Sequence, residues 1–287
     1  MCQSAVKASY WFPSPAFPAS EIDSSLFTHL FCTFADLDST SNQVVIASWN
    51  ESVFHAFTPT VQQKNQCVQT LLSIGGGNAD KSAFASMASN PSSRRSFIDS
   101  SISLARSYGF HGLDLDWEYP RDAAEMSHFA TLLQEWRLAV VAESSSTGRS
   151  GESGVKEWIE SGLPANKAVL GFPYYGWAWT LANPNSNGYD APTTGPAVSN
   201  DGEISYRDIK KWILENGASN VHDPTVVGDF CYAGTTWIGY DSEKSIRAKA
   251  KYAKHTGLLG YFSWHVGGDD NSELSRAASC AWDNAEM

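Results

Sequence analysis

Short apolar runs rich in aromatic and β-branched residues recur along the first half of the chain, and polar turn residues follow each one. They are VKASYWF at 6–12, THLFCTFADL at 28–37, VQTLLSIGGG at 68–77 and FHGLDLDWEY at 110–119. Runs of this length and composition are typical of strands that are buried on both faces. The pattern therefore predicts a series of buried strands.

Helical patterns lie between and after these runs. The segment PSSRRSFIDSSISLARSYG at 91–109 opens with proline and closes with glycine, which are helix start and stop signals. Apolar residues at helical spacing follow the fourth run, namely Met126, Phe129, Leu133, Trp136 and Val140. Strands that alternate with helices indicate a parallel sheet covered by helices, and we expect an α/β fold of the (β/α)8 TIM-barrel type. A doubly wound open sheet is the alternative.

The second half continues this alternation with one interruption. KAVLGFPYYG at 167–176 and LLGYFSWHV at 258–266 are predicted strands, whereas SGVKEWIESG at 153–162 and SEKSIRAKAKYAKHTG at 242–257 are predicted helices. A helix at 205–217 and a hairpin at 228–240 predict a small α+β insertion. We expect residues 1–176 and 241–287 to form an incomplete barrel and residues 177–240 to form the insertion domain. Six strand-helix units are recognisable where eight would close a barrel, so about two βα units are absent.

The chain is acidic, with 31 aspartate and glutamate residues against 20 lysine and arginine residues and a net charge of -11. It contains no block of basic residues, so we expect no nucleic-acid partner. No run approaches the roughly 20 apolar residues of a membrane helix, and MCQSAVKASYW has no apolar core of a signal peptide, so we expect neither. Eleven tryptophans favour a ligand with flat apolar faces, such as a sugar, while most of the aromatic rings are expected in the core.

The five cysteines show no Cys-x-x-Cys spacing, which argues against a zinc site or a redox pair. Cys32 and Cys67 lie in apolar runs and are predicted to be core residues. Asn50-Glu51-Ser52 is an N-glycosylation triplet, and it gives some support for secretion.

Three acidic residues, Asp114, Asp116 and Glu118, occupy alternate positions at the fourth predicted strand. Alternate side chains of a strand share one face, so the three carboxylates point one way while leucine and tryptophan side chains point the other. Neighbouring carboxylates about 7 Å apart in a partly dry interior resist simultaneous ionisation, and at least one should keep its proton to higher pH. A carboxyl group that is protonated at neutral pH can serve as a general acid.

Two other interpretations of this acidic cluster stay open. Aspartate and glutamate oxygens bind magnesium or calcium, but no further run of ligand residues accompanies the cluster, and we expect no metal. A solvated strand face is the second interpretation, and the apolar residues around the cluster argue against it.

The stretch FHGLDLDWEYP at 110–120 resembles the D-G-x-D-x-D-x-E signature of family 18 glycoside hydrolases, with His111 in place of the first aspartate. The sequence looks most like the plant class V chitinases, through SIGGG at 73–77, GFPYYG at 171–176, YAGTTWIGY at 232–240 and GYFSWHVGGDDN at 260–271. This resemblance implies an endochitinase that hydrolyses β-1,4-linked N-acetylglucosamine in chitin or chito-oligosaccharides, with retention of configuration and no cofactor. The nucleophile would be the substrate's own N-acetyl oxygen. An extracellular or vacuolar location is also implied.

The resemblance assigns roles to individual residues. Glu118 matches the general acid, Asp116 matches the carboxylate that orients the acetamido group, and Asp114 matches the partner that shares a proton with Asp116. The residues that match the sugar subsite are Tyr10, Phe34, Ser73, Gly75, Gly76, Tyr174 and Trp264, with Trp264 as its floor. A tight turn is an equally good explanation for the glycines.

One region departs from the family pattern. Between Glu143 and Lys167 the family carries two further strands with their helices, including a Met-x-Tyr-Asp motif that holds the acetamido oxygen, and this chain lacks them. The intact acids favour an endochitinase, whereas the missing segment favours a catalytically impaired, chitin-binding or lectin-like relative. We expect the gap to lower both stability and turnover.

Overall fold

The computed structural model describes residues 5–147 and 165–284, and it describes the side chains of 5–140 and 165–284. The chain divides into two compact units. Unit I comprises Phe12–Ser24 and His29–Lys167, and unit II comprises Met1–Trp11, Ser25–Thr28 and Ala168–Met287. The division into a barrel and an insertion domain at 177–240 stays a prediction.

The elements follow in chain order. The strands are β1 (Val6–Trp11), β2 (His29–Asp38), β3 (Gln43–Val45), β4 (Gln69–Gly75), β5 (Gly112–Asp116), β6 (Val169–Pro173), β7 (Tyr175–Leu181), β8 (Thr193–Pro196), β9 (Glu203–Ser205), β10 (Ser219–Asp223), β11 (Gly228–Ala233), β12 (Thr236–Tyr240) and β13 (Gly260–Trp264). The α-helices are α1 (Glu51–Gln62), α2 (Lys81–Ser89), α3 (Pro91–Ser107), α4 (Ala123–Thr147), α5 (Tyr206–Asn216), α6 (Glu243–His255) and α7 (Glu273–Asn284). Short 3₁₀ turns lie at Ala19–Glu21, Ser24–Leu26, Ala165–Lys167 and Val266–Gly268. All six predicted barrel strands are confirmed, as β1, β2, β4, β5, β6 and β13.

In unit I, β4 lies between two parallel neighbours. It pairs with β2 on one side and with β5 on the other, while β3 folds back antiparallel on β2. Leu72 and Ile74 of β4 are fully buried, as the apolar run predicts. The β4–β5 register sets Ser73 opposite Asp114 and Gly75 opposite Asp116, so it brings residues that are distant in sequence to one strand pair.

Helix α3 shows why a helix forms where the sequence pattern predicts one. The Asn90 side chain accepts hydrogen bonds from the backbone N–H groups of Ser92 and Ser93, and Pro91 occupies the first helical turn, where its missing N–H costs nothing. The helix buries Phe97 against α4, with 5.3 Å between its ring and that of Trp136. Burial of one such ring stabilises the fold by roughly 1.5–3 kcal/mol.

In unit II, the parallel strands are β1, β13 and β6, with β13 in the middle. A side chain at Gly260 would place its Cβ 1.8 Å from the Val6 carbonyl oxygen, so this position of β13 requires glycine. The apolar core beside these strands includes Phe172 and Tyr261, whose rings stack at 5.0 Å. Helix α6 begins at the predicted position, where the Ser242 side chain accepts a hydrogen bond from the Lys244 N–H.

Unit II also contains an antiparallel sheet. Strand β7 pairs with β8, β9 and β12, and β11 pairs with β10 and β12. This sheet encloses a small core with α5, formed by Ala178, Ile204, Ile209, Cys231 and Ile238. The predicted helix and hairpin of this region are therefore confirmed as α5 and β11–β12.

The helix predicted from the spacing of Met126 to Val140 is confirmed as α4, although the Met126 side chain is 51% exposed. One prediction about a buried residue is wrong. Cys67 is exposed because it lies before β4, and burial begins only at Val68. The predicted helix at 153–162 lies outside the described residues.

The described residues contain six parallel strands, three in each unit. Among them, β5 pairs only with β4, and β6 pairs only with β13. Every residue of β5 is half-buried, whereas β4 is mostly buried. In the described part of the chain, each of these two strands thus has one edge that pairs with no other strand. This arrangement fits an α/β fold that lacks about two βα units.

Candidate active site

Strand β5 presents its acidic residues on alternate positions. Asp114 and Asp116 belong to the strand, and Glu118 follows two residues later, just before Pro120. Trp117 has the opposite orientation, because it is 6% exposed and its ring stacks on Phe84 at 6.1 Å. The strand alternation that the sequence predicts therefore separates an acidic face from an apolar face.

Asp114 is held by the neighbouring strand. The Ser73 hydroxyl, which is fully buried on β4, donates a hydrogen bond of 2.6 Å to Asp114 Oδ2. This hydrogen bond fixes the orientation of the Asp114 carboxylate on the acidic face of β5.

Asp116 has the most strongly perturbed ionisation in the acidic cluster. Burial raises the pKa of Asp116 to about 7, with further contributions from the negative charges of Glu118 and Asp114 and from a hydrogen bond to Glu118. The hydrogen bond acts in this direction because the protonated carboxyl of Asp116 donates it to Glu118. Near neutral pH Asp116 therefore still carries a proton in a large fraction of the molecules, and it donates that proton in the hydrogen bond to Glu118.

Glycines allow the loop after β4 to approach the acids. Gly75 has φ +110°, and a Cβ there would lie 2.2 Å from the Asp116 carbonyl oxygen. The Gly76 N–H donates to that same oxygen at 2.8 Å, and a Cβ on Gly76 would lie 2.6 Å from the Phe34 ring. These two glycines therefore serve as the tight turn that the sequence suggests, and they lie beside the acidic face.

Gly77 is a further site residue that the sequence reasoning did not select. A Cβ on Gly77 would lie 3.6 Å from Glu118 Oε2, so the backbone of this loop lies against the Glu118 carboxylate. The signal for it is present, since Gly77 is the third glycine of SIGGG.

Unit II holds the remaining predicted site residues. The rings of Tyr10 and Trp264 lie 5.4 Å apart, and Tyr10 also makes an edge contact with Phe262 at 5.7 Å. Tyr174 differs, because it is 1% exposed and belongs to the apolar core of this unit. Its assignment to a sugar subsite stays a prediction, and its burial argues against direct contact with a sugar.

His111 replaces the first aspartate of the signature and has a structural environment. The Nδ1 atom of its ring accepts a hydrogen bond from the Thr70 backbone N–H at 3.1 Å, and the His111 backbone N–H donates to the Thr70 carbonyl oxygen at 2.8 Å. The buried Thr58 and Thr70 hydroxyls extend this network at 2.7 Å. His111 thus ties the start of β5 to the start of β4, away from the acidic face.

Within residues 5–147 and 165–284, no three histidine, cysteine, aspartate or glutamate side chains are grouped in a way that could hold a metal ion. None of the helices in those same ranges is long and apolar enough to span a bilayer.

The sequence model of glycosyl hydrolases family 18 matches residues 4–151 and 139–269. The chain belongs to glycosyl hydrolases family 18. Among its family 18 relatives, a class V chitinase of Arabidopsis thaliana is 56% identical, over 99% of this chain and 91% of the relative. A solved mutant class V chitinase from Nicotiana tobaccum in complex with NAG4 is 40% identical and superposes with a TM-score of 0.93, over 99% of this chain and 100% of that one. A chitinase-like agglutinin from Robinia pseudoacacia is 39% identical with a TM-score of 0.88, over 97% and 100% of the two chains.

These comparisons establish the fold and bear on the predicted gap. The fold is α/β of the TIM-barrel type. The family 18 match consists of two segments that overlap at 139–151. This overlap lies at the start of the region between Glu143 and Lys167 where the sequence departs from the family. The Arabidopsis alignment runs over 345 positions, at least 58 more than the 287 residues of this chain. The relative therefore contains residues that have no counterpart here.

Proposed function

We propose that this family 18 chain is an endochitinase that hydrolyses β-1,4-linked N-acetylglucosamine in chitin or chito-oligosaccharides with retention of configuration. The observation that carries the proposal is the acidic face of β5, where Asp114 is held by Ser73 and the pKa of Asp116 is raised to about 7 beside Glu118. The similarity to class V chitinases, one of them solved with NAG4, supports the same substrate class.

Glu118 is the general acid in this proposal. In the free enzyme the protonated carboxyl of Asp116 donates a hydrogen bond to Glu118. An acetamido N–H of the substrate that donates to Asp116 stabilises its ionised form, so that proton passes to Glu118. Glu118 then protonates the leaving glycosidic oxygen while the substrate's acetamido oxygen attacks the anomeric carbon. A water molecule, deprotonated by Glu118, opens the resulting oxazolinium ion and retains the configuration.

Asp114 supports this cycle through its charge. Asp114 is held by Ser73, and its negative charge raises the pKa of Asp116. Asp116 therefore keeps a proton more readily before the substrate binds. Once Asp116 has ionised, the acetamido N–H compensates for the repulsion between the two carboxylates. This is the physical reason for two inner acids beside one catalytic acid.

The sugar-binding roles extend the proposal to aromatic and glycine residues. Tyr10 and Trp264 form one aromatic cluster whose flat rings suit the apolar faces of N-acetylglucosamine. Gly76 lies against the Phe34 ring and Gly75 lies against the Asp116 carbonyl oxygen, and these two contacts position the loop after β4. An extracellular or vacuolar location completes the proposal. The net charge of -11 argues against a nucleic-acid partner.

The decisive test replaces Glu118 with glutamine. Glu118→Gln keeps the size of the side chain but cannot supply a proton, so cleavage of chitohexaose should fall by roughly 10²- to 10⁴-fold. Binding of the same oligosaccharide, measured by calorimetry, should persist. The matched control is Glu215→Gln on the exposed face of α5, which should leave turnover unchanged.

Three results would contradict the proposal. Cleavage by Glu118→Gln at the parent rate would remove Glu118 from the general-acid role. Cleavage of cellohexaose or of fully deacetylated chitosan at a rate similar to chitohexaose would contradict the substrate-assisted mechanism, because these chains lack the acetamido nucleophile. Binding without any cleavage by the parent chain would show that it is a lectin-like relative.

A further inference from the structure

The start of α1 carries a feature that the proposed function does not use. Asn50-Glu51-Ser52 is the single Asn-x-Ser/Thr triplet without a central proline in the 287 residues. Such a triplet is the acceptor for N-linked glycans. A second asparagine, Asn90, has proline at the middle position and therefore offers a natural comparison within the same unit.

The two asparagines occupy the same structural position but behave differently. Both are N-cap residues, Asn50 of α1 and Asn90 of α3. Asn90 Oδ1 accepts hydrogen bonds from Ser92 N–H at 2.8 Å and Ser93 N–H at 3.2 Å. The Asn50 side chain makes no capping hydrogen bond, although such a cap is typically worth about 1 kcal/mol. The amide of Asn50 is thus not tied to its helix.

The residues around Asn50 are also turned to the surface. Glu51 and Ser52 are exposed, and Trp49 is 80% exposed. Trp49 precedes the N-cap, where an apolar side chain commonly packs against the fourth helical residue. That residue, Phe54, is fully buried, whereas the 80% exposure of Trp49 leaves most of the indole ring in solvent. Trp49, Glu51 and Ser52 are therefore exposed at the start of α1, and the half-buried Asn50 among them keeps a side chain that makes no capping hydrogen bond.

We infer that Asn50 is an N-glycosylation site, and that Trp49 supplies a flat apolar ring on which the first sugar of the glycan rests. The reaction joins Asn50 Nδ2 to the anomeric carbon of N-acetylglucosamine from a lipid-diphosphate donor. The diphosphate leaves and one amide proton is released. A glycan at this position would cover an indole ring that is otherwise unusually exposed for so large an apolar group. The inference rests on the proposed extracellular or vacuolar location.

To test this inference, the chain is fused to an N-terminal signal sequence and secreted from insect cells. Intact mass and the peptide containing Asn50 are measured before and after treatment with a peptide-N-glycosidase, which removes the glycan and converts the asparagine to aspartate. The parent chain should show a glycan mass that the enzyme removes. Asn50→Gln and Ser52→Ala should each secrete without that mass, and the two variants together guard against a folding defect in either.

A matched control shows whether the host cell glycosylates this chain when Asn50 itself carries no glycan. Pro91→Ala converts the triplet at Asn90 into an acceptor in the same chain, and in the parent Asn90 should stay unmodified. Modification of Asn90 in this variant, while Asn50 of the same molecules stays bare, would overturn the inference. Chitohexaose cleavage is measured separately, so failure of the glycosylation site and failure of the proposed activity are distinguishable.

The contact with Trp49 has its own readout. Glycosylated and enzymatically deglycosylated samples of the parent are compared by melting temperature, and the same pair is prepared for Trp49→Ala. If the glycan rests on the indole, its removal should lower the melting temperature of the parent more than that of Trp49→Ala. An equal decrease in the two would overturn this part of the inference.

Discussion

Replacement of Asp116 by asparagine should make the folded chain more stable at neutral and alkaline pH while it lowers chitinase turnover. Burial and the charges of Glu118 and Asp114 raise the pKa of Asp116 from 3.8 to about 7. Between these values the folded chain retains a proton that the unfolded chain has released. The free energy of unfolding therefore falls as the pH rises through this window. Asparagine cannot ionise and avoids this cost.

The size of the effect follows from the shift in pKa. A shift of about three units at about 1.36 kcal/mol each sets a ceiling of about 4 kcal/mol, which is reached above pH 7. Asp116 is half-buried, so solvent screening reduces this figure, and we expect Asp116→Asn to gain about 1–3 kcal/mol at about pH 8. Near pH 4 the gain should disappear, because the carboxyl is then protonated in the folded chain.

The assay is urea unfolding of the parent and of Asp116→Asn at about pH 4 and pH 8, followed by tryptophan fluorescence. Asp190→Asn is the control, because it removes the same charge from an exposed residue that adopts a positive φ, which asparagine tolerates. Its effect should be small at both pH values. If Asp116→Asn is no more stable than the parent at pH 8, or if its gain is the same at pH 4, Asp116 is not the perturbed acid that we describe.

Three further predictions concern the surroundings of the acids. Ser73→Ala removes the hydrogen bond to Asp114, which is worth about 1.5–3 kcal/mol for a charged acceptor, so kcat/KM for chitohexaose should fall by roughly 10- to 100-fold. Gly75→Ala should lower the melting temperature much more than Gly109→Ala does. Both glycines have a positive φ, but only a Cβ on Gly75 would lie 2.2 Å from a backbone atom. Equal decreases in melting temperature would contradict this steric argument. His111→Ala removes the side-chain acceptor of the Thr70 backbone N–H, so it should lower the free energy of unfolding in urea by about 1 kcal/mol. His111→Asp keeps a side-chain acceptor and should lower it less.

The sequence pattern was sufficient for the strands that carry the acids. Alternation of acidic and apolar residues at 112–118 predicts one acidic face and one apolar face, and the buried Trp117 confirms the apolar one. The three glycines at 75–77 predict a turn, and the positive φ of Gly75 and Gly76 confirms it. These features succeed because they depend on the two-residue period of a strand and on local backbone sterics, which adjacent residues determine.

Features that depend on pairing between distant segments were not predictable. The hydrogen bond from Ser73 to Asp114 requires the β4–β5 register, which joins residues 41 positions apart. The face that α4 buries is set by its neighbours in space, so the helical spacing alone did not show that Met126 would be exposed. Non-proline cis peptide bonds precede Phe34, Tyr119 and His265, and no sequence signal indicated them.

The missing segment and the ionisation of the acids are physically connected through β5. Its hydrogen-bonded partner in the described residues is β4 alone, and its residues are half-buried rather than buried. The largest contribution to the pKa of Asp116 is burial, which is the contribution that water at an unpaired strand edge would weaken first. If water enters there, the pKa of Asp116 returns towards 3.8, the proton on Asp116 is lost at neutral pH, and Glu118 has no proton to give. The stability gain of Asp116→Asn therefore also measures whether this shorter chain keeps its acids dry enough for catalysis.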